Sequence, residues 1–550
     1  MENRLTLTLD GREVRIQRGT SMLEVCQTEF PQRVGEVIAV RVGGVLKGLR
    51  WQPQRDSRVQ LLTYADEEAR RVYERSARYV FLMAAEDVLP EAKVRIEHSS
   101  GYGVYADMTG CTLSGELVAK IDARMREIIA QDVPFIRERW SREDAMAYFE
   151  RRGQADTVRL LRYRPYDTFD VYTCGGRSEY FYGEMLPSTG WVRAFALRLH
   201  LPGVVLQLPA PGDPWRPADF VERPQLQRAL SDTARWNAVL HCQNAADLND
   251  IVSGGDVRGF MRVNEALHEK HIAEMAGRIV SGGARVVLIA GPSSSGKTTF
   301  SNRLCVQLRV CGKEPVIISL DNYYLPRDQA PRNELGKPDL ECLEALDVPL
   351  FNRQLVALLQ GEEVELPIFS FEKHARLEHG MRLRVRPDQP IVIEGIHGLN
   401  PQLTRDVPSD AKYKIYISAL TQLNLDDHNR IRTTDVRLLR RLVRDHQFRG
   451  ASVEYTMDMW DEVRAGEEKH IFPYQEEADE MFNSTLLYEL AVLKKYAYPM
   501  LQSVKEDSRW YTRAHRLLKF LNYFLTIDAE DEIPPTSILR EFIGGCTFYI

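Results

Sequence analysis

Apolar and polar positions alternate along most of residues 3–64, which predicts β-strands with one buried face. Turns such as Asp10-Gly11 interrupt the alternation, and residues 21–29 have the pattern of one helix. A strand-turn-strand unit, a helix and further strands in this order predict a small ubiquitin-like β-grasp. We assign this domain to residues 1–66.

Residues 67–218 mix helical and strand patterns and predict an α+β domain. Helices are predicted at residues 69–89 and 114–129, and short tyrosine-rich strands follow them. A stretch rich in Pro and Gly at residues 202–217 predicts the end of this domain. The next residues, 219–282, have a helical pattern and are predicted to be a connector.

From residue 283 onward, predicted strands alternate with predicted helices, which favours a parallel sheet with helices on its faces. Short apolar runs rich in β-branched residues place the strands at residues 286–290, 315–319, 391–394 and 412–417. We assign residues 283–482 to this α/β domain and residues 483–550 to a C-terminal helical extension. The predicted fold is therefore multidomain, with α/β and α+β parts.

The composition is typical of a soluble protein with a large core, because 44% of the 550 residues are hydrophobic and 27% are charged. A formal net charge of -6 provides no overall basic field for nucleic acid or an anionic membrane. No apolar run approaches the roughly 20 residues of a membrane span, and the first residues have no signal-peptide pattern. The 8 cysteines have no C-x-x-C spacing, which fits reduced thiols. We expect a cytoplasmic protein without a membrane partner.

The segment Gly291 to Thr298 reads GPSSSGKT and matches the phosphate-binding template G-x-x-x-x-G-K-[ST]. It stands between a predicted strand and a predicted helix, so backbone N–H groups of the turn and the helix N-terminus would face phosphate oxygens. In this template Lys297 reaches the β- and γ-phosphates, and the Thr298 hydroxyl is a ligand of Mg²⁺. The sequence therefore predicts a nucleoside triphosphate site. Its nucleotide-binding residues are predicted to be Gly291, Ser293, Ser294, Ser295, Gly296, Lys297, Thr298 and Thr299.

Two carboxylates stand at the C-terminal ends of predicted strands, where α/β sheets bind ligands. Asp321 follows the second strand of the α/β domain and suits a general base for an attacking hydroxyl, or a Mg²⁺ ligand. Glu394 ends the third strand and suits a Mg²⁺ ligand, direct or through water. For Asp321 the alternative is a helix cap or a turn carboxylate.

A basic helical segment at residues 437–450 follows the fourth strand. Arg441 and Arg444 are three residues apart and share one helix face, and Arg449 lies beside the predicted helix end at Gly450. A run of arginines is typical of a solvated face. After a phosphate site, however, an arginine-bearing lid neutralises charge and expels water. We therefore predict that Arg441 and Arg444 act in catalysis and that Arg449 binds the nucleotide.

These motifs resemble those of the uridine kinase and phosphoribulokinase superfamily of P-loop kinases. Besides GPSSSGKT, the matching segments are Asp321-Asn322-Tyr323-Tyr324 and residues 366–376, 393–396 and 440–445, in the family's order and spacing. The resemblance implies ATP and Mg²⁺, with transfer of the γ-phosphate to a hydroxyl, typically the 5′-OH of uridine or cytidine. It also implies that Asp321 is the general base. The substrate-binding residues that it implies are Tyr324, Glu341, Phe369, Phe371, His374, Arg376 and Arg441.

Three departures from the family's pattern concern the acceptor. Uridine kinases usually carry an aspartate before His-Pro that grips the ribose hydroxyls, and here Glu341 stands in the equivalent stretch. Ala451 stands where the family commonly has another arginine, and Phe369 replaces a common tyrosine. A kinase for a non-nucleoside acceptor, such as a free or phosphorylated sugar, is therefore a second hypothesis.

The N-terminal regions resemble parts of threonyl-tRNA synthetases: residues 3–64 the TGS domain, and the region after it the domain that edits mischarged tRNA. The editing family has H-x-x-x-H on its first helix and a later Cys and His, a metal-like cluster. At those positions this chain has Arg75, Tyr79, Cys174 and Ser178. Three of the four ligand types are missing, so we expect neither a metal nor editing chemistry.

Two roles remain open for these N-terminal regions. One is a scaffold that positions the kinase or mediates self-association into a homo-oligomer. The other is contact with RNA or the ribosome, which would make the chain an ATP-switched regulatory protein. The acidic net charge speaks against the second role. The expected partner is a small-molecule substrate, with a nucleoside as the first candidate.

Overall fold

The computed structural model describes residues 4–326, 328–332, 336–370, 373 and 375–548. Its N-terminal region is a five-stranded sheet with one helix. The elements are β1 Arg4–Leu9, β2 Arg12–Gln17, α1 Met22–Glu29, β3 Val37–Val42, β4 Val45–Gly48 and β5 Ser57–Thr63.

The strand order in this sheet is β2-β1-β5-β3-β4, with β1 parallel to β5 and antiparallel to β2. Alternate residues of β1 are buried, which is why the sequence alternates there. Ser21 begins α1 in a capping box with Glu24. The predicted β-grasp is confirmed.

The second region contains helices and three antiparallel sheets, of order β11-β12-β7-β6, β10-β9-β8 and β13-β14. A long helix, α2, has a largely buried surface and forms the middle of this region's core. The elements are α2 Glu67–Val88, β6 Lys93–Ser100, β7 Gly103–Thr109, α3 Gly115–Ala130, β8 Ile136–Ser141, α4 Arg142–Arg151, α5 Ala155–Arg162, β9 Thr168–Cys174, β10 Arg177–Glu179, β11 Ala196–His200, β12 Gly203–Gln207, β13 Pro209–Ala210 and β14 Asp213–Pro217.

Three helices follow in the segment predicted to be helical: α6 Pro224–Val239, α7 Ala245–Gly254 and α8 Val257–Gly282. The longest of them, α8, packs against the first helix of the α/β region, and Gly283 caps its C-terminus in a left-handed conformation. Among the helices that the structure describes, none combines the length and apolar character that a membrane span requires.

The rest of the chain is built on a parallel sheet of order β16-β21-β15-β22-β25 with helices on both faces. Its elements are β15 Val286–Ala290, α9 Lys297–Val310, β16 Val316–Ser319, α10 Val348–Leu359, β17 Glu363–Leu366, β18 Phe369–Ser370, β19 Ala375–Arg376, β20 Met381–Arg384, β21 Ile391–Glu394, β22 Lys412–Ser418, β23 Asn424–Asp426, β24 Asn429–Arg430, α11 Thr433–Arg449, α12 Val453–His470, β25 Glu480–Asn483, α13 Glu489–Gln502, α14 Tyr511–Leu521 and α15 Arg540–Ile543.

The four predicted strands of this sheet are confirmed as β15, β16, β21 and β22. The central pair, β15 and β21, is buried along its whole length, which explains the continuous apolar runs in the sequence. A fifth strand, β25, pairs with β22 at the edge and was not predicted, because its four residues include only two apolar ones. It runs through residue 482, where we had placed a domain boundary.

The hairpin formed by β23 and β24 joins the α/β region to the second region. Asn424 Nδ2 donates to the carbonyl oxygen of Ile96 at 2.7 Å, and the Ile96 N–H donates to Asp427 O at 2.7 Å. Arg430 pairs with the buried carboxylate of Glu74 at 3.1 Å. The last of these contacts ties β24, the strand just before α11, the arginine helix, to α2.

One ion pair of this junction predicts a pH dependence. His428 Nδ1 lies 2.8 Å from Glu179 Oε2. Burial by itself would lower the pKa of His428, but the carboxylates of Glu179, Asp426 and Asp156 outweigh it and raise the pKa to about 9. Because the pKa of His428 is raised in the folded protein, its protonation contributes roughly 3 kcal/mol of stability below about pH 6.5. This contribution is lost as the pH rises through about 9.

We therefore expect the free energy of unfolding to fall between pH 6.5 and 9 in the wild type, and to fall less in His428→Gln. Urea unfolding at several pH values measures this difference. His446→Gln is the matched control, because His446 is exposed on α11. Equal pH slopes for both variants would contradict the assignment.

Candidate active site

The phosphate-binding motif lies between β15 and α9, at the C-terminal edge of the parallel sheet. Ser294 and Gly296 have left-handed φ values of 58° and 88°, so the chain turns tightly before α9 begins at Lys297. A Cβ on Gly291 would lie 2.0 Å from the carbonyl oxygen of Ile417, so only glycine fits there. Backbone turned in this way forms an anion-binding concavity.

The polar groups of this loop fit a bound phosphate chain. The hydroxyl oxygens of Ser294 and Ser295 are buried and have no hydrogen-bond partner within the described part of the chain. Lys297 Nζ donates to the carbonyl oxygen of Pro292 at 3.2 Å. Burial lowers the pKa of Lys297, and the nearby carboxylates of Glu394 and Asp321 oppose this shift. Orphaned hydroxyls beside a desolvated ammonium are groups that phosphate oxygens satisfy.

The two predicted acids lie together with Lys297. Because β16 and β21 are neighbouring parallel strands with Ser319 opposite Glu394, the residues that end them share one edge of the sheet. The Ser319 hydroxyl donates to Glu394 Oε1 at 2.7 Å. Burial and the charge of Asp321 raise the pKa of Glu394 to about 7, against the opposing charge of Lys297.

Asp321 follows β16 and remains accessible to solvent. Partial desolvation by the protein around its carboxylate raises the pKa of Asp321, and the charges of Lys297, Arg449 and Arg444 oppose the rise. Asp321 is thus within electrostatic reach of four other predicted site residues, Lys297, Arg444, Arg449 and Glu394. A carboxylate with a raised pKa beside a cationic phosphate site is equipped to accept a proton.

The arginine helix α11 lies across the phosphate-binding loop. Arg441 Nη1 donates to the hydroxyl of Ser293 at 2.9 Å. Arg441, Arg444 and Arg449 also all pair with one carboxylate, that of Asp445, at 3.2, 3.1 and 3.4 Å. The structure therefore brings the three predicted arginines together around Asp445, and Arg441 among them contacts the loop.

Three further residues at the loop were missed from the sequence. Arg437 Nε donates to the carbonyl oxygen of Ser293 at 2.9 Å and its guanidinium pairs with Glu467. Glu467, on α12, accepts the Ser293 N–H at 2.9 Å and is completely buried. Arg440 Nη1 donates to the carbonyl oxygen of Ser294 at 3.4 Å. The spacing of Arg437, Arg440, Arg441 and Arg444 on one helix face was a signal that could have identified both arginines.

Several residues predicted to bind the acceptor lie near Asp321. The rings of Tyr324 and Phe369 have centroids 6.0 Å apart at an angle of 56°. The Phe369 N–H donates to Asn322 Oδ1 at 3.1 Å, which fixes this strand beside the turn that carries Asp321. Phe371 and His374, also predicted here, lie outside the described residues.

Glu341 and Arg376 occupy different environments. Burial and the charge of Glu467 raise the pKa of Glu341 to about 7, while Arg441 and Lys297 act against this, so Glu341 lies within electrostatic reach of the same site. Arg376 donates from Nη1 to Asp347 Oδ2 at 3.1 Å and from Nη2 to the carbonyl oxygen of Tyr323 at 2.9 Å. Its guanidinium supports the β18–β19 hairpin, and its substrate-binding role stays a prediction.

In the second region, the side chains that match the editing family's ligand positions are hydrogen-bonded within the protein or buried. The Tyr79 hydroxyl lies 2.9 Å from the carbonyl oxygen of Tyr172 and 2.8 Å from that of Arg177, and these two oxygens accept its hydrogen bond. The Arg75 guanidinium donates to the carbonyl oxygen of Glu184. Burial raises the pKa of the Cys174 thiol to about 12. These side chains serve the internal packing of the region.

Comparisons with known proteins find relatives of the α/β region. The model of the "Phosphoribulokinase / Uridine kinase family" matches residues 286–489. A uridine kinase of Halobacterium salinarum is 32% identical over 193 residues, which cover 35% of this chain and 76% of that protein. A uridine kinase of Lactobacillus johnsonii is 32% identical over 175 residues, covering 32% of this chain and 74% of the relative.

The N-terminal region matches threonine–tRNA ligases. That of Syntrophomonas wolfei is 32% identical over 187 residues, which cover 34% of this chain but only 29% of the ligase. The chain thus spans less than a third of the length of these relatives. Among solved structures, a possible uridine kinase from Bacillus stearothermophilus is 24% identical and covers 27% of this chain and 79% of its own, with a TM-score of 0.23.

Proposed function

The chain belongs to the phosphoribulokinase/uridine kinase family of P-loop kinases, and from this premise we propose that it transfers the γ-phosphate of ATP to a hydroxyl of a small molecule. The acceptor that we propose is a pyrimidine nucleoside, phosphorylated at its 5′-OH. The observation that carries the proposal is the meeting of Lys297, Asp321 and Glu394 at the edge of the sheet beside the phosphate-binding loop.

The reaction we propose is an in-line displacement. The acceptor hydroxyl gives its proton to Asp321 as its oxygen forms a bond to the γ-phosphorus, and the bond from that phosphorus to the bridging oxygen of ADP breaks. The raised pKa of Asp321 suits this task, because a base is most effective when its pKa approaches the working pH. Lys297, Arg441 and Arg444 stabilise the negative charge on the transferred group.

The residues present also fit Mg²⁺. Carboxylate and hydroxyl oxygens are the ligands this ion prefers, and Thr298 and Glu394 would hold it between them. When bound, the ion neutralises charge on the β- and γ-phosphate oxygens. The hydrogen bond from Ser319 orients the Glu394 carboxylate for this role.

The acceptor pocket we propose is formed by Tyr324, Phe369 and Glu341. Two aromatic rings 6.0 Å apart offer a surface on which a nucleobase packs. Glu341 is a hydrogen-bond acceptor for ribose hydroxyls. Because it is one methylene longer than the usual aspartate, a free or phosphorylated sugar remains the second candidate acceptor.

A panel of pyrimidine nucleosides, purine nucleosides and sugars, assayed with Mg·ATP for ADP release and product mass, tests the proposal. We expect uridine or cytidine to give a 5′-monophosphate. Phosphorylation of sugars alone would support the second candidate. ADP release that no acceptor accelerates would contradict kinase activity towards these compounds.

Lys297→Ala is expected to weaken both nucleotide binding and turnover. A charge-assisted hydrogen bond to phosphate contributes about 1.5–3 kcal/mol, so the Kd for Mg·ATP should rise roughly tenfold or more. Turnover should fall further, since the ammonium also stabilises the transition state, by about 10²-fold. Calorimetry and ADP release measure the two effects. Lys270→Ala, which removes an exposed lysine from α8, is the control, and an equal effect of both variants would contradict the assignment.

A further inference from the structure

The C-terminal segment of the chain lies on the phosphate-binding loop. Glu541, on α15, accepts two hydrogen bonds through Oε2, from the backbone N–H of Thr299 at 3.3 Å and from the Thr299 hydroxyl at 2.8 Å. A Cβ on Gly296 would lie 2.5 Å from Ile538 Cγ2, so the segment also packs directly on the glycine where the loop becomes α9.

Thr299 is the third residue of α9, and its N–H belongs to the first turn, whose donors are directed at groups outside the helix. In a loop of this type, these donors and the positive end of the helix dipole are what bind phosphate. The Glu541 carboxylate is an anion at the same place. A phosphate oxygen at the Thr299 N–H would therefore have to replace Oε2 of Glu541.

A second set of contacts ties the segment to the arginine helix. Arg440 and Phe542 are both fully buried, and Arg440 Cζ lies 5.0 Å from the centroid of the Phe542 ring. A Cβ on Gly544 would lie 3.7 Å from Phe448 Cζ, near the end of α11. The segment thus bridges the phosphate-binding loop and α11, the two elements between which a nucleotide has to fit.

The charge of Glu541 acts on the catalytic groups as well. It opposes the lowering of the Lys297 pKa and adds to the raising of the Glu394 pKa. The segment begins at an anchor, because the Ser537 hydroxyl donates to Glu265 Oε1 on α8 at 2.6 Å. Residues 538–545 follow this anchor as one short unit, of which only Arg540–Ile543 are helical.

We propose that residues 537–545 are an internal competitor of the nucleotide, with Glu541 in the place of a phosphate and with displacement of the segment required before Mg·ATP binds. This inference rests on the nucleotide site of the proposed function but not on the identity of the acceptor. The consequence is a kinase whose apparent nucleotide affinity depends on how often its own C-terminal segment is displaced.

The test is calorimetric titration of the full chain with Mg·ATP, for the wild type, Glu541→Gln and Glu541→Ala. Both variants remove the charge that competes with phosphate, and Gln keeps the size of the side chain, so folding is preserved. We expect both to bind Mg·ATP about tenfold more tightly than the wild type, because the competent fraction of molecules rises. Asp528→Asn, which removes an exposed carboxylate of the C-terminal extension outside residues 537–545, should leave the Kd unchanged.

Hydrogen exchange of residues 540–545 provides the second measurement. Mg·ATP is expected to increase exchange at these amides in the wild type, since the segment leaves the loop. Unchanged or weaker nucleotide binding by Glu541→Gln, or full protection of these amides with Mg·ATP bound, would overturn the proposal.

The outcomes also separate this proposal from the proposed kinase activity. If the variants bind Mg·ATP more tightly but no acceptor is phosphorylated, the result supports the internal competitor and contradicts the proposed activity. If no form binds Mg·ATP, both are wrong.

Discussion

Asp321→Asn is expected to lower turnover by about 10²–10⁴-fold, which is the usual contribution of a general base. The side chain keeps its size but loses the ability to accept the proton of the acceptor hydroxyl. The Kd for Mg·ATP should stay within about twofold, because the phosphate chain is bound by the loop, Lys297 and the arginines. Single-turnover rates and calorimetry separate the two quantities.

The pH profile gives an independent check on the same residue. Because partial desolvation raises the pKa of Asp321, the wild-type rate should fall on acidification at a higher pH than an ordinary aspartate would give. Asp410→Asn is the matched control, since Asp410 is exposed just before β22, at the opposite edge of the sheet. A near wild-type rate for Asp321→Asn on the true acceptor would show that another group takes the proton.

Glu467→Gln is expected to lower the free energy of unfolding by about 3–5 kcal/mol, the usual cost of removing one partner of a buried ion pair. Arg437 is 1% exposed and Glu467 0% exposed, so the guanidinium would be left charged and unpaired in the interior. Urea unfolding measures the loss. Glu468→Gln is the matched control, because Glu468 is 57% exposed and its pair with Arg464 should contribute at most about 1 kcal/mol.

A double variant separates stability from site geometry. Arg437→Met combined with Glu467→Gln removes both charges, and a buried pair replaced in this way usually costs little, so most of the stability should return. Nucleotide affinity should remain reduced, because Arg437 no longer donates to the carbonyl oxygen of Ser293. Equal free energies of unfolding for Glu467→Gln and Glu468→Gln would contradict a stabilising role of the Arg437–Glu467 ion pair.

The parts of the fold that depend on local pattern were predictable. The continuous apolar runs of β15 and β21 mark strands buried on both faces, and the alternation in β1 marks a strand buried on one. The template GPSSSGKT fixes a turn and a helix start by its own glycines. Asp321 and Glu394 were placed together because parallel strands present their C-terminal ends at one edge.

The parts of the site that the sequence missed are contacts between distant segments. Arg437 and Glu467 are 30 residues apart and lie on different helices, and periodicity shows which face of a helix is buried but not which residue it meets. The short strand β25 was not predicted for a related reason, because pairing with β22 stabilises it more than the strand propensity of its own four residues does.

The sequence by itself determined that this chain has a phosphate-binding loop, two strand-end acids and an arginine helix, because each depends on residues within one element or on the edge rule of parallel sheets. Only the tertiary structure decided that Glu541 reaches Thr299 across 242 residues and that the β23–β24 hairpin, which precedes the arginine helix, contacts β6 and α2. Such contacts depend on how separate elements pack, and packing energy is shared among side chains that no local pattern connects.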